Sequence, residues 1–418
     1  MSRRILSLIS SFIFSLFFFS CSKTNSTPPP PPPPVVGTMN INVSYPAQGP
    51  QFELIISEPG GTVLLDTLAP TNTPITAALK TNSTVVDLTT VLSQGGNFFS
   101  VNTFKSINAS TLTGLTPGSY FIKTKLGTTT PASLFYNNIP SGVINGFNSF
   151  VFTNYPDNSS TGSQASPANN TIALNYLNYT GNYAYLILPA VGLYNLHMQT
   201  NVTDTVDCSH LDTAIALTFN RPSPFTVSSL YSTFLGIPDT TDLTKIIAFT
   251  SLFTATNRPG VDLQYPNVPV QKYELYVNAT NASNDVVDYY CYTNTIPLTL
   301  PFPAETDYSL SSTTNDNFSV SFPNAAPTYY AAFLSNANIL MAIYAPSDTS
   351  TIHPVTLLTN QKSKLLQGVT LSNLAVKTFE FENITGMNYA AFLPYITNPA
   401  AIQAKRITSA ANLIKTLP

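Results

Sequence analysis

Phe52-Glu53-Leu54-Ile55-Ile56 and Thr62-Val63-Leu64-Leu65 flank the tetrad Glu58-Pro59-Gly60-Gly61. Two short apolar runs around a Pro-Gly-Gly cluster read as a β-hairpin, because proline presets one turn dihedral and glycine accepts a positive φ. The same texture extends in both directions. Met39-Asn40-Ile41-Asn42-Val43-Ser44-Tyr45 alternates apolar and polar residues, the period of a strand with one buried face. Ser119-Tyr120-Phe121-Ile122-Lys123-Thr124-Lys125 follows a Thr116-Pro117-Gly118 turn signal. Only 399–417 departs from this pattern; its alanines, among them Ala400, Ala404, Ala410 and Ala411, predict a short C-terminal helix. The expected fold is all-β, with two or three β-sandwich modules.

A chain of 418 residues exceeds one ordinary domain. The run from Pro156 to Asn170 is almost free of apolar residues and reads as a linker, and a weaker break lies at 259–270. The expected organisation is a signal peptide at 1–20, a cysteine and proline linker at 21–34, and a first module at 35–155. A linker at 156–167 and modules at 168–265 and 266–418 follow. Internal echoes suggest duplication: Phe52-Glu53-Leu54 resembles Tyr273-Glu274-Leu275, and Tyr329-Tyr330-Ala331-Ala332-Phe333-Leu334 resembles Asn388-Tyr389-Ala390-Ala391-Phe392-Leu393.

Charge excludes one class of partner. Only 9% of residues are charged, and 17 Lys and Arg against 20 Asp and Glu leave a formal net charge of -3. Nucleic-acid binding requires a dense basic face that displaces counterions, so no nucleic-acid partner is expected.

The N-terminus carries an address. Arg3 and Arg4 precede an apolar run, Ile5 to Phe19, too short to span a bilayer, and Ser20-Cys21-Ser22 follows. Phe18-Phe19-Ser20-Cys21 resembles the lipobox of bacterial lipoproteins. The resemblance implies that Cys21 becomes a lipidated N-terminus carrying fatty acid such as palmitate. Ser22 lacks the aspartate that this resemblance associates with inner-membrane retention, so an exported protein on the outer membrane or cell surface is expected. Pro28 to Pro34 would form an extended stalk of roughly 20 Å, at about 3.1 Å per residue. The stretch Leu115-Thr116-Pro117-Gly118-Ser119-Tyr120 is similar to the strand entry of prealbumin-like sandwich modules, such as carboxypeptidase regulatory-like domains, which implies fold alone.

Catalytic chemistry has few candidates. Beyond Cys21, Cys208 and Cys291 are the remaining cysteines. Export permits a disulfide between them, while Cys291 also reads as a small buried hydrophobe on a strand. Asp204-Thr205-Val206-Asp207-Cys208-Ser209-His210-Leu211-Asp212 gathers carboxylates, a thiol and an imidazole, but without the paired spacing of a zinc site. It reads as a solvated loop, and neither metal nor cofactor is expected. No Gly-x-Ser-x-Gly or His-Glu-x-x-His occurs. Glu380 and Glu382 share one face of a strand, which reads as a solvent face.

The remaining signal is aromatic. The chain has 22 Tyr and 26 Phe, and sugars stack on aromatic faces. Tyr290 and Tyr292, beside Asp288 and Asn294, are the candidate ligand-binding residues. These features predict a lipid-anchored envelope protein, a non-enzymatic binding or adhesion scaffold for an extended glycan or peptide polymer. The alternatives are a structural component of an envelope assembly and a hydrolase of unrecognised type.

Overall fold

The computed structural model describes residues 51–68, 79–81, 83–108, 130–140, 150–153, 171–178, 182–220, 227–240, 247–249, 260–297, 300–396 and 408–417. The signal segment, Cys21, the proline tract, the strand expected at 39–45, the Leu115–Tyr120 stretch and the 156–167 linker lie outside these residues. The fold is all-β. In chain order the strands begin with β1 (Phe52–Ser57), β2 (Val63–Leu68), β3 (Val85–Gly95) and β4 (Phe98–Asn108). Then come β5 (Thr130–Asn137), β6 (Phe150–Thr153), β7 (Ile172–Asn178), β8 (Asn182–Leu188), β9 (Leu193–Gln199), β10 (Thr203–Asp207) and β11 (Asp212–Thr213). Next are β12 (Ile215–Asn220), β13 (Val227–Ile237), β14 (Ile247–Ala248), β15 (Gly260–Tyr265), β16 (Lys272–Asn281) and β17 (Val286–Thr293). The last are β18 (Ser309–Thr314), β19 (Asn317–Ser321), β20 (Tyr329–Ser335), β21 (Ile339–Ala345), β22 (Thr351–Ile352), β23 (Ala375–Ile384) and β24 (Ser409–Thr416). Two short helices, α1 (Pro354–Gln361) and α2 (Tyr389–Ile396), accompany them. Among the described residues no helix is long and apolar enough to cross a membrane.

The chain divides into two compact units. Unit 1 is Met1–Ile122, Ala304–Ile407 and Asn412–Pro418; unit 2 is Lys123–Pro303 and Thr408–Ala411. The three consecutive modules expected at 35–155, 168–265 and 266–418 are therefore replaced by a different grouping. β5, from the expected first module, pairs with β7 and β10 of the second, and β4 pairs in parallel with β21 of the third. Long-range pairing, which composition does not reveal, decides which strands share a core.

In unit 1 the strand order is β24-β23-β20-β21-β4-β3-β1-β2. The expected hairpin is present: Glu58 N–H donates to Thr62 O at 2.9 Å, Gly61 N–H donates to Glu58 O at 2.8 Å, and Gly61 takes φ 87°. A Cβ on Gly61 would also stand 3.0 Å from Asn360 Cβ, so the turn and the end of α1 meet without side-chain width. All six residues of β1 are buried, as is β3 from Val86 to Leu92. Such strands need cover on both faces. Further along the sheet, on one face of β20 and β23, rings of Tyr308, Phe318 and Phe322 pack 5.2–5.8 Å from Phe379, Phe381 and Tyr330. On the other face of β20, Phe392 of α2 stacks parallel on Tyr329 at 4.5 Å; within the sheet, Phe104 of β4 stacks on Tyr344 of β21 at 5.1 Å.

Polar groups tie α1 and the loop after it to the first of these faces. Gln361 donates to Thr89 Oγ1 at 2.9 Å and to Ser57 Oγ at 3.3 Å, all three residues being buried. The fully buried Glu53 carboxylate accepts from the Ser363 hydroxyl and from the N–H groups of Lys364 (2.6 Å) and Leu365 (3.1 Å). Nearby, buried Asp87 pairs with Lys105 and accepts from Ser106 N–H at 3.0 Å.

The alanine-rich C-terminus is a correction. Residues 409–416 form a strand rather than a helix, because Ala410, Ala411 and Leu413 fill core positions and Leu417 N–H donates to Lys377 O at 2.8 Å. Residues 399–407 lie outside the described residues. The Tyr-Ala-Ala-Phe echo is also not a structural repeat: 329–335 is a strand and 389–396 is a helix.

Unit 2 is a stack of sheets: β10-β5-β7, β11-β9-β8-β6 and β14-β13-β16-β17, with β12 pairing β15. β8 is buried on both sides. Its Ala184, Leu186 and Leu188 pack with Leu134, Tyr136, Ile172, Val206 and Cys208. Its Tyr185 points the other way and meets Phe249 edge-on at 5.6 Å; Phe249 in turn contacts Phe234 at 5.2 Å. Gly236 makes this packing close, since a Cβ there would fall 2.5 Å from the Phe249 ring.

Burial pushes the Glu53 carboxyl above its ordinary value of 4.5, an effect countered by the Ser363, Lys364 and Leu365 donors and reinforced by Asp66. The facing charged groups are Asp66 and Lys364, which form an ion pair at 3.0 Å. A carboxyl raised on folding contributes stability that is complete below 4.5 and is lost as pH rises through the raised folded value. Urea midpoints measured from about pH 4 to pH 7 will therefore fall more steeply in the native chain than in Glu53→Gln. Superimposable profiles would contradict this role for Glu53.

Candidate ligand-binding face

The sequence Lys272-Tyr273-Glu274-Leu275-Tyr276-Val277-Asn278-Ala279 places alternate side chains on opposite faces of β16, and 286–293 does the same in β17. A tight turn sets their register. Asn281 Oδ1 accepts from Ser283 N–H and Asp285 N–H, each at 2.9 Å, and Asn284 takes a positive φ of 63°. The strands then pair Glu274 with Tyr292, Tyr276 with Tyr290 and Asn278 with Asp288. Leu275, Val277, Ala279, Val287, Tyr289 and Cys291 are buried on the core face. Glu274, Tyr276, Asn278, Asp288, Tyr290 and Tyr292 form the opposite face and are half-buried.

This second face is a hydrogen-bonded ladder. Tyr276 Oη donates to Asp288 Oδ1 at 2.9 Å, and Asn278 Nδ2 donates to the same oxygen. Tyr290 Oη donates to Glu274 Oε1 at 3.1 Å. The Lys272 ammonium lies 5.5 Å from the centre of the Tyr292 ring, a cation–π placement.

Three of the four candidates read from sequence, Asp288, Tyr290 and Tyr292, thus share one face. Asn294 does not join them; it lies beyond Thr293 in an exposed bend. Lys272, Glu274, Tyr276 and Asn278 were missed. The alternation of 272–279 matches that of 286–292, so pairing the two runs as a hairpin would have found them.

The acidic run around Cys208 disperses. Asp204 accepts from Asn201 Nδ2 at 2.8 Å and lies 3.1 Å from His197 Nε2; these contacts hold its carboxyl below the usual range. Asp207 is likewise lowered, first by Ser209 N–H and then by Asn138. Cys208 instead turns into the core beneath β5 and β8. Glu380 and Glu382 are half-buried rather than a bare solvent face: the Tyr329 hydroxyl lies 2.9 Å from Glu380 Oε1 and 2.5 Å from Glu382 Oε2. Burial, then these carboxylates, drive the Tyr329 hydroxyl well above its ordinary value.

Cys208 and Cys291 are free thiols, both buried, so the bridge that export would permit is not formed. Cys208 belongs to the core shared by β5, β7, β8 and β10, whereas Cys291 sits opposite Leu275 on the core face of β17. No known protein family matches the chain, and no curated protein is similar to it.

Burial, with a lesser contribution from Asp207, pushes the Cys208 thiol up to about 12, and burial also raises Cys291. Thiolate is the reactive form. An aromatic disulfide reagent at neutral pH will accordingly leave both cysteines unmodified in the native fold and modify both in urea. Detection of a linked Cys208–Cys291 peptide in unreduced protein would overturn this assignment.

Proposed function

We propose that the protein is a lipid-anchored component of the cell envelope that binds an extended polymer, glycan or peptide, without chemically altering it. The observation that carries the reading is the ladder of Glu274, Tyr276, Asn278, Asp288, Tyr290 and Tyr292 on one half-buried face. Aromatic rings interspersed with amide and carboxylate groups offer apolar contact and hydrogen bonding together, as a polar polymer requires. The N-terminal apolar run, Cys21 and the proline stalk support export and display of this body at a membrane, with the outer membrane or surface favoured.

Charge sets the expected character of binding. With 9% charged residues overall, contacts would rest on tyrosine, asparagine and carboxylate groups rather than on ion pairs. Such binding changes little with ionic strength, because few exposed charges are screened.

In cells, Cys21→Ala should abolish fatty-acid labelling and leave unprocessed precursor; unchanged labelling removes the anchor from this reading. In the extracted full chain, Tyr290→Ala should weaken polymer binding by about tenfold, the equivalent of one well-placed aromatic contact. Binding unaffected by that change, or turnover of the polymer, removes the scaffold assignment.

A further inference from the structure

We infer that unit 1 carries a covalent staple of its own: an amide between the side chains of Lys105 and Asp87, formed by the fold itself. The inference is independent of the binding reading above. Asp87 of β3 is fully buried, Lys105 of β4 is 9% exposed, and the two form an ion pair. A buried ion pair seldom stabilises a fold more than apolar side chains of similar volume would, so stability alone does not account for it. A bulge brings the two groups together. Val86 pairs with Ile107 and Leu88 with Phe104, so Lys105 and Ser106 both face Asp87. Bulges re-aim side chains, and Ser106 here holds a left-handed φ of 55°. That conformation is costly for a residue other than glycine and persists where the surrounding structure imposes it. The result is a carboxylate with two different neighbours. Ser106 N–H donates to Asp87 Oδ1 at 3.0 Å, while Lys105 Nζ contacts Oδ2.

This arrangement poises an amine on a carboxyl group. A nitrogen touching one carboxylate oxygen lies about 3–3.5 Å from the carboxyl carbon, the separation of a near-attack pair. A dry interior disfavours separated charge, so a proton passes from Nζ to Oδ2 and leaves a neutral amine and a neutral acid. The Nζ lone pair then forms a bond to Cγ. Negative charge develops on Oδ1, where the Ser106 N–H already points. Collapse of that intermediate breaks the Cγ–Oδ2 bond, and Oδ2 leaves as water with a second proton taken from nitrogen. The products are one amide and one water, with no change of oxidation state. The surroundings keep solvent out. Ser57, fully buried, pairs with Asp87 from the β1 side. Tyr389 is buried as well; burial, then the Asp87 charge, drives its hydroxyl well above its ordinary value. The link closes the open end of the β3–β4 hairpin, a covalent role that the two free cysteines do not fill.

Peptide mapping by mass spectrometry tests this on the full chain, purified folded and denatured only for digestion. Chymotrypsin cuts at Phe98 and Phe99, between the two residues. It should nevertheless leave the Asp87 and Lys105 peptides joined in most chains, as one branched peptide lighter than their sum by one water. Trypsin should pass over Lys105. Lys105→Arg keeps a positive charge beside Asp87 without a reactive amine, and should give two separate peptides. Separate, full-mass Asp87 and Lys105 peptides from the native chain would mean an ion pair only and overturn the staple; this result does not depend on how any variant folds. A branched peptide that persists in Lys105→Arg would overturn it too, since the link would then lie at another residue.

Discussion

The parallel pairing of β4 with β21 is the interaction on which unit 1 depends. It aligns Ile339 with Phe99 and Tyr344 with Phe104, joining segments more than two hundred residues apart in the chain. Side chains and backbone lock both ends. Phe99 N–H donates to Asn338 O at 2.7 Å, Asn338 Nδ2 donates to Asn97 O at 3.0 Å, and the Phe104 and Tyr344 rings stack at 5.1 Å. The Glu53 carboxylate adds a second tie, since its donors lie at 363–365. Closing so long a loop costs entropy before any contact forms, so this pairing must be repaid by the contacts that follow it. It also leaves the whole of unit 2 as an insertion between β4 and β18, apart from its short return at Thr408–Ala411.

Burial on both faces is confined to particular strands, where apolar side chains on each side are removed from water. β1 in unit 1 and β8 in unit 2 are the extreme cases, with buried residues on both sides. β16 and β17 differ because one of their faces alternates out of the core. There the polar residues are concentrated, and there the tyrosine hydroxyls find carboxylate partners. The candidate site is thus where the sheet's second face is built from hydrogen-bonding groups rather than from core.

Local features were legible in the sequence. The Glu58–Gly61 turn, the all-β texture and the alternation in 286–292 depend on neighbours a few residues away, and pattern reading captures them. Cys291 as a small buried hydrophobe followed from the same alternation. Long-range choices were not legible. Glu53 resembles an ordinary outward residue until the loop at 363–365 closes on it. Tyr329-Tyr330-Ala331-Ala332-Phe333 and Tyr389-Ala390-Ala391-Phe392 have nearly the same composition, yet one is a central strand and the other a helix lying on that strand's face. Alanine-rich 409–416 likewise became a strand because sheet positions were open to small side chains. Propensity is weak against such tertiary demands.

Whether the two ends of the chain fold as one cooperative body is read most directly from native-state amide exchange in Ile343→Ala. This change empties a fully buried position in β21 and should cost about 2–5 kcal/mol. If the β4–β21 pairing holds unit 1 together, amides of β1, β3 and β4 will exchange faster by the same factor as those of β20 and β23. Faster exchange confined to β20, β21 and β23, with 52–108 keeping full protection, would contradict it.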